Sequence, residues 1–154
     1  LWGLETVALR IFNAYGPGQS LPVSHAPVVP RFLQQALTGG SLIVFGDGLK
    51  TRDYVYVDDV VDALVTAATT TGLDNAVINI GSGRETSVSE LIDRVERVAG
   101  RRGNVIFNGE KSGGVLRLAA DISRAQELLA FQPRIDLETG LRLILERDAR
   151  FRLR

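Results

Sequence analysis

Arg52 is the side chain whose type and setting best suit the binding of an anion. It lies in GDGLKTRDYVYVDD, residues 46–59, which joins a glycine turn, two cations, aromatic and β-branched residues and an acidic stretch. A guanidinium is a planar fork of donors that fits two phosphate oxygens at once. We predict that a strand presents it. The residues also allow a second interpretation, in which this arginine pairs on the surface with Asp53, Asp58 or Asp59.

Two further side chains stand where α/β proteins place ligand contacts. Phe45 ends an apolar run just before the turn at Gly46, so its ring could stack on a base, although a core phenylalanine is the other interpretation. Asn13 follows an apolar run, and ligands of α/β sheets gather outside the carboxyl ends of strands. Its amide could therefore donate to a phosphate or sugar oxygen, or it could bond its own loop backbone.

The remaining motifs support less. Gly81-Ser82-Gly83 lacks the lysine of a P-loop and is too short for a dinucleotide fingerprint. We therefore interpret it as a strand-to-helix connection that borders the ligand. His25 has no carboxylate or second histidine at metal-ligand spacing, so we predict no metal site.

Alternating strand and helix patterns must position these side chains. Hydrophobic periodicity predicts strands over 6–12, 42–45, 52–57, 77–80 and 104–107, and helices over 28–37, 58–69, 88–99, 121–129 and 137–149. The first strand is expected to be buried. Gly39 and Gly40 end the first helix, and Ser87 with Glu90 forms a capping box for the third. Residues 13–26 are predicted to form a long loop. This alternation indicates an α/β architecture.

Composition excludes several classes of function. The 154 residues suit one domain with a sizeable core, and 18 acidic residues balance 18 Lys and Arg, which argues against a nucleic-acid binder. No apolar run is long enough to predict a membrane span. The absence of cysteine removes disulfides and thiol chemistry, and we expect a cytoplasmic protein. Because the chain has no methionine, we expect a fragment, a processed product or a partly sequenced chain.

Four segments in register resemble the extended short-chain dehydrogenase/reductase family, the NAD-dependent nucleotide-sugar epimerases and dehydratases. They are LRIFNAYGPGQ, PVVPRFLQQALTGGSLIVFGDGLKTRDYVYVDDVVDAL, INIGSGRETSVSEL and ADISRAQELLAFQPRIDLETGL. The resemblance implies the C-terminal part of an extended Rossmann-type epimerase. Residues 1–13 and 76–100 would then belong to the last strands of the parallel sheet. Residues 14–75 and 101–154 would form most of a small α/β substrate domain.

The resemblance also implies phosphate and cofactor contacts. In relatives the F-N pair lies beside the nicotinamide and the nucleotide phosphates, and Phe12 and Asn13 match it. The arginine of T-R-D binds the diphosphate, and Arg52 matches it. Relatives usually carry a second arginine in an R-x-G-D segment, where this chain has Lys111 followed by Ser-Gly-Gly. A lysine keeps the charge but lacks the fork, so we expect a weaker second anchor there.

The same resemblance implies a base site. In relatives the backbone before the P-x-F helix helps to hold the nucleotide, which points to Pro27 and Val28. The strand before the G-D-G turn holds the base, with an aromatic ring stacked on it. Ile43, Val44 and Phe45 correspond to that strand.

Relatives use a glycine-rich NAD loop and a Tyr-x-x-x-Lys pair, both ahead of the segments found here. None of Tyr15, Tyr54 and Tyr56 has a lysine four residues later. We therefore expect the N-terminal NAD-binding portion to be absent, no catalytic residue in this chain and no turnover by the chain alone. NAD would serve the complete enzyme and would not bind tightly here.

The function implied is the substrate-binding portion of an enzyme that oxidises a sugar hydroxyl to a transient ketone. Epimerisation of a UDP-sugar is the leading prediction, and a dehydratase or reductase for dTDP- or GDP-sugars stays open. The alternative is a non-catalytic binding or assembly module derived from an epimerase. Its exposed strand over 6–12 would favour self-association or pairing with a separate N-terminal half. A non-functional remnant is a third interpretation.

Overall fold

The computed structural model describes residues 5–22, 26–109 and 114–152. Within these ranges strands and helices alternate, as the sequence predicts. The strands are β1 (Val7–Ile11), β2 (Asn13–Tyr15), β3 (Ser41–Phe45), β4 (Thr51–Arg52), β5 (Tyr54–Tyr56), β6 (Ala76–Ile80), β7 (Thr86–Ser87) and β8 (Asn104–Asn108). The helices are α1 (Val28–Thr38), α2 (Val57–Thr69), α3 (Val88–Ala99), α4 (Ser123–Leu129) and α5 (Leu137–Arg147), followed by a short 3-10 turn (Ala149–Phe151).

One extended segment carries β1 and β2 and changes partner between them. β1 runs parallel to β6, and the Phe12 N–H continues this ladder by donating to the Ile80 oxygen at 2.9 Å. The Asn13 N–H donates instead to the Asp53 oxygen at 3.2 Å, and β2 then runs parallel to β5. The loop predicted over 13–26 is therefore wrong at its start. Its first three residues form a strand because β5 offers them a second ladder.

The predicted strand over 52–57 is divided in the structure. β4 pairs antiparallel with β7, whereas β5 pairs parallel with β2. Asp53 separates the two strands, and Val57 is already the first residue of α2. The division lets one short segment hydrogen-bond to two different parts of the chain. β3 pairs parallel with β8, with Ile43 opposite Ile106.

Two hydrophobic cores fill the structure. The first core lies among α1, α3, α5 and β3, and Tyr15, Phe32, Leu91 and Leu141 are fully or almost fully buried in it. The Tyr15 ring meets the rings of Tyr54 and Tyr56 edge to face, with centroids 6.4 Å and 5.5 Å apart. The second core lies between α2, α4 and the β1–β6 pair.

β1 is less buried than the sequence predicts. Val7 and Leu9 are half-buried, and Ala8, Arg10 and Ile11 are exposed. The prediction of a buried strand is thus wrong for the described residues. The physical reason is that β6 pairs with one edge of β1 and α2 packs near it, while its remaining surface stays open.

Local signals for helix ends are confirmed. Gly39 takes a left-handed conformation, with φ of 74°, at the end of α1. Ser87 and Glu90 form the reciprocal capping box at the start of α3. In the described part of the chain, no helix has the length and apolar character needed to cross a membrane.

Candidate nucleotide-binding site

A cavity of about 220 Å³ opens where β2, the start of α1 and the β4–β5 segment meet. Four residues singled out from the sequence line it: Asn13, Pro27, Val28 and Arg52. They come from three separate elements, so the fold, not their spacing, brings them together. The β1–β2 segment delivers Asn13 at the point where the strand changes partner. Pro27 stands just before the first turn of α1, which proline's fixed φ favours.

Arg52 lines this cavity from β4, and within the described residues its guanidinium donates to neutral groups. Its Nη1 donates to the Thr51 oxygen at 2.6 Å and to the Val115 oxygen at 3.0 Å. Both acceptors are backbone carbonyls, which orient the guanidinium without neutralising it. As far as the described part of the chain shows, a phosphate would meet an oriented fork whose charge no carboxylate has taken.

The three carboxylates near Arg52 in sequence have other partners. Asp58 accepts from Arg147 at 2.8 Å, and buried Asp59 accepts from two backbone N–H groups, those of Arg134 and Ile135, at 3.1 Å each. Asp53 faces a different loop. The interpretation in which one of these acids neutralises Arg52 at the surface is therefore not the arrangement that the structure shows.

Asp53 is fully buried, and it organises the glycine loop after β6. Its carboxylate accepts from the Ser82 N–H at 2.6 Å, the Ser82 hydroxyl at 2.7 Å and the Gly83 N–H at 3.0 Å. It also accepts from the Ala120 N–H at 3.0 Å. Because the carboxylate already takes these loop donors, the loop cannot cradle a phosphate with them. This donor set therefore does not fit the pyrophosphate of NAD.

Asn13 bonds across the fold and not within its own loop. Its Nδ2 donates to the Asp53 oxygen at 3.3 Å, a long contact. The side chain is half-buried at the cavity wall. Its amide is thus held close to Arg52 with its remaining hydrogen-bonding capacity available to a ligand.

Two polar side chains of the cavity wall were not singled out from the sequence. The Tyr54 hydroxyl and the Gln19 Oε1 are buried and have no hydrogen-bond partner among the described residues. Burial raises the pKa of Tyr54 to about 12, so its hydroxyl keeps its proton at neutral pH. Tyr54 lies two positions after Arg52 in an extended segment, which was a usable signal, whereas no pattern marks Gln19. Buried polar atoms of this kind require a polar partner, which ordered water or a polar ligand in the cavity would supply.

The predicted base-binding strand, β3, contacts α1, and Val28 of α1 lines this cavity. Ile43 and Phe45 are 38% and 41% exposed, so the Phe45 ring is not a core residue. Val44 alternates to the inside and is 1% exposed. Its side chain belongs to the first core, and only its backbone can serve a ligand.

The last two predicted contacts are Phe12, which is not among the residues that line the cavity, and Lys111. Phe12 is half-buried at the junction of β1 and β2, with its N–H and C=O both engaged by the backbone. Lys111 lies outside the described residues. The roles of both residues stay predictions.

Comparison with known proteins assigns the chain to a family. Residues 1–81 match the model of the NAD dependent epimerase/dehydratase family, and the chain belongs to this family. This confirms the resemblance drawn from the four segments. A putative UDP-glucose 4-epimerase of Methanocaldococcus jannaschii is 41% identical over 94% of this chain and 46% of its own length.

Solved structures confirm the α/β fold with its parallel strands. The UDP-glucose 4-epimerase of Thermotoga maritima, solved with UDP-glucose, matches with a TM-score of 0.87 and 39% identity over 94% of this chain and 46% of that one. The UDP-glucuronic acid 4-epimerase of Bacillus cereus, in complex with UDP-glucuronic acid and NAD, matches with a TM-score of 0.80 and 34% identity. This match covers 88% of this chain and 42% of the Bacillus cereus enzyme. The chain thus spans about half of the relatives it matches.

Proposed function

We propose that this chain is the nucleotide-sugar-binding portion of an NAD-dependent epimerase or dehydratase that acts on a UDP-sugar. The observation that carries the proposal is the Arg52 guanidinium, which lines a cavity and is held by two carbonyl oxygens. A guanidinium oriented in this way suits a diphosphate better than it suits a ligand with one charged oxygen, because two of its N–H groups can bond two oxygens.

The other cavity groups suit the rest of a nucleotide sugar. Asn13 would donate to a phosphate or sugar oxygen. The buried Tyr54 hydroxyl and the buried Gln19 Oε1 would form hydrogen bonds with hydroxyl groups of the ligand. Pro27 and Val28 would hold the nucleotide through the backbone, and Lys111 would add a second cation.

The strand β3 suits a base. The Gly46 N–H donates to the Asn108 oxygen at 2.9 Å, so the even-numbered residues here turn their backbone groups toward β8. By alternation Ile43 turns its C=O to the opposite edge, next to α1. There a base could donate to this oxygen while its ring stacks on exposed Phe45.

NAD chemistry would require a second portion. Phe12 would lie beside the nicotinamide, and the residues of this chain offer no Tyr-x-x-x-Lys pair to serve as the base. We therefore propose that the chain alone does not epimerise nucleotide sugars. NAD-dependent conversion of UDP-glucose by the purified chain, free of other enzymes, would refute this statement.

Calorimetric titration with UDP tests the site. We expect Arg52→Ala to weaken UDP binding at least tenfold, since a hydrogen bond to a charged group contributes about 1.5–3 kcal/mol. Arg84→Ala is the matched control, because Arg84 is an exposed arginine outside the cavity lining. Equal UDP affinities for the parent chain and the Arg52→Ala variant would remove the proposal.

A second proposal concerns the surface that the second core leaves open. Val61, Leu64 and Val65 recur at helical spacing on α2 and are 49%, 46% and 60% exposed; we call them the α2 stripe. Within the described ranges, β6 is the one strand that pairs with β1. We propose that the α2 stripe and the open edge of β1 pair with the NAD-binding portion.

The assembly-module alternative uses the same surface for contact between copies. Light scattering after size exclusion, with and without UDP, separates the two functions. A tight oligomer that ignores UDP would favour the module. A chain that binds UDP and has the mass of a single copy, with and without UDP, would favour the enzyme portion.

A further inference from the structure

Arg31 lies beside the base edge of β3 and has no role in the functions described so far. It follows Val28 by three positions on α1, so both side chains lie on one helix face. Val28 lines the cavity, and Arg31 extends this face to β3. Its Nη2 stands 3.5 Å from the Ile43 oxygen, and its Cζ lies 5.9 Å from the centre of the Phe45 ring.

The hydrogen bonding of Arg31 is incomplete. The contact with Ile43 is at the outer limit of a hydrogen bond. Its Nε is buried and has no hydrogen-bond partner among the described residues. A buried donor without an acceptor carries a desolvation cost, and burial also lowers the pKa of Arg31. A ligand oxygen placed against this face would remove that cost.

The chemistry of the neighbouring acceptor indicates which ligand fits. The Ile43 oxygen, which has a long 3.5 Å contact with Arg31, can accept a closer N–H, and the buried Arg31 Nε can donate to a carbonyl oxygen. Uracil offers both side by side, because its N3–H lies between two ring carbonyls. Cytosine has an unprotonated N3 and an amino group at C4. It would set a lone pair against the Ile43 oxygen and, with its C4 side toward Arg31, a donor against the guanidinium.

We propose that Arg31 is a specificity-determining residue of the base site: packed against Phe45, it donates to a ring carbonyl of uracil while the Ile43 oxygen accepts from N3–H. This inference rests on the proposed function and deepens it. It assigns the choice of base to a side chain of α1, separate from the Arg52 fork that holds the diphosphate.

Calorimetry with two nucleotides tests the assignment. UDP and CDP share the diphosphate and differ in the base edge, so their affinity ratio reports on base reading alone. We expect the chain to prefer UDP, and Arg31→Leu to weaken UDP at least tenfold with less than a threefold change for CDP. Arg31→Lys keeps the charge without the fork and should restore only part of the preference.

Three controls keep the outcomes distinct. Arg142→Leu removes an exposed arginine of α5, paired with Glu138 at 2.8 Å, and should leave the ratio unchanged. Arg52→Ala should weaken UDP and CDP by the same factor. Circular dichroism checks folding, and Arg31→Gln replaces the leucine variant if that one is unfolded.

The failures can be told apart. A chain that binds neither nucleotide overturns the proposed function and this inference with it. A chain that binds UDP through Arg52 but keeps its UDP-to-CDP ratio without Arg31, or shows no preference from the start, overturns the role of Arg31 alone.

Discussion

The two cores differ in how completely this chain covers them. The first core is enclosed by α1, α3, α5 and β3, and its large side chains, such as Phe32 and Leu141, are fully buried. The second core is buried on the inside of the β1–β6 pair, yet Ile11 and Val77 of these strands and the whole α2 stripe stay exposed. From this difference we propose that the surface formed by the β1–β6 pair and the α2 stripe is where further protein would pack.

Asp53 connects the two regions, and its loss should have the largest effect. Its carboxylate extends from the β4–β5 segment to the loop after β6 and to Ala120 before α4. Asp53→Ala leaves several buried N–H groups without an acceptor, so we expect a loss of about 3–5 kcal/mol in the free energy of unfolding. Urea unfolding measures this loss.

Two variants accompany this measurement. Asp93→Ala, on the exposed face of α3, should change the free energy of unfolding by less than about 0.5 kcal/mol. Asp53→Asn keeps the shape and one acceptor oxygen, so it should fall between the two. Ordinary surface substitutions change the free energy of unfolding by less than about 1 kcal/mol. If Asp53→Ala changes it by no more than this, the two regions do not depend on this carboxylate.

The parts of the fold that depend on neighbours in sequence could be predicted. Ser87 and Glu90 are three residues apart, and Gly39 ends its own helix, so each signal is complete within one turn. β2 was missed because its ladder partner, β5, lies some forty positions away and no local pattern announces it. The long-range pairing decided the structure of Asn13–Tyr15.

The candidate site shows the same division. The type of Arg52 and its strand setting were visible in the sequence, but the partners of Asp53, at Ser82, Gly83 and Ala120, were not. Sequence alone therefore left open whether the acid neutralises Arg52. The sequence did not mark Arg31 as a candidate ligand contact, because its proposed role depends on its contact with Ile43 of β3, an element that follows α1 after a turn.

Asp148 tests the first region by pH. It is 7% exposed, and its carboxylate accepts from the Gly18 N–H at 2.8 Å and from the Arg150 guanidinium at 2.6 Å, which ties the loop after β2 to the C-terminal turn. We expect Asp148→Asn to lower the free energy of unfolding at pH 7 by about 1–3 kcal/mol.

The sign of the pH effect follows from the same contacts. The Arg150 side chain and the backbone N–H groups lower the pKa of Asp148 below its ordinary value. Its stabilisation is therefore fully present above the unfolded pKa, near pH 4, and is lost as the pH falls through the lower folded pKa. Unfolding measured from pH 7 downward should show the parent chain and Asp148→Asn converging only below about pH 4. A difference in the free energy of unfolding that stays constant as the pH falls below about 4 would contradict the prediction.

The α2 stripe tests the second region and should show the smallest effect on stability. Val65 is 60% exposed, so Val65→Glu removes little packing, and we expect the free energy of unfolding to change by less than about 0.5 kcal/mol. The same change places a charge on an apolar contact surface, so self-association of the chain, measured by light scattering, should weaken. Thr69→Glu adds the same charge to an exposed position near the end of α2 and is the matched control.

The free energy of unfolding of Val65→Glu tests whether Val65 packs within its own fold. The mass of the variant tests whether a second copy contacts Val65. A clear loss of stability would mean that Val65 already packs in its own core, and the contrast between the cores would be smaller than its exposure indicates. A chain whose mass is the same for the parent, Val65→Glu and Thr69→Glu would exclude contact between copies through the α2 stripe. In that case the proposed pairing of this surface with the NAD-binding portion would stand without the competing contact between copies.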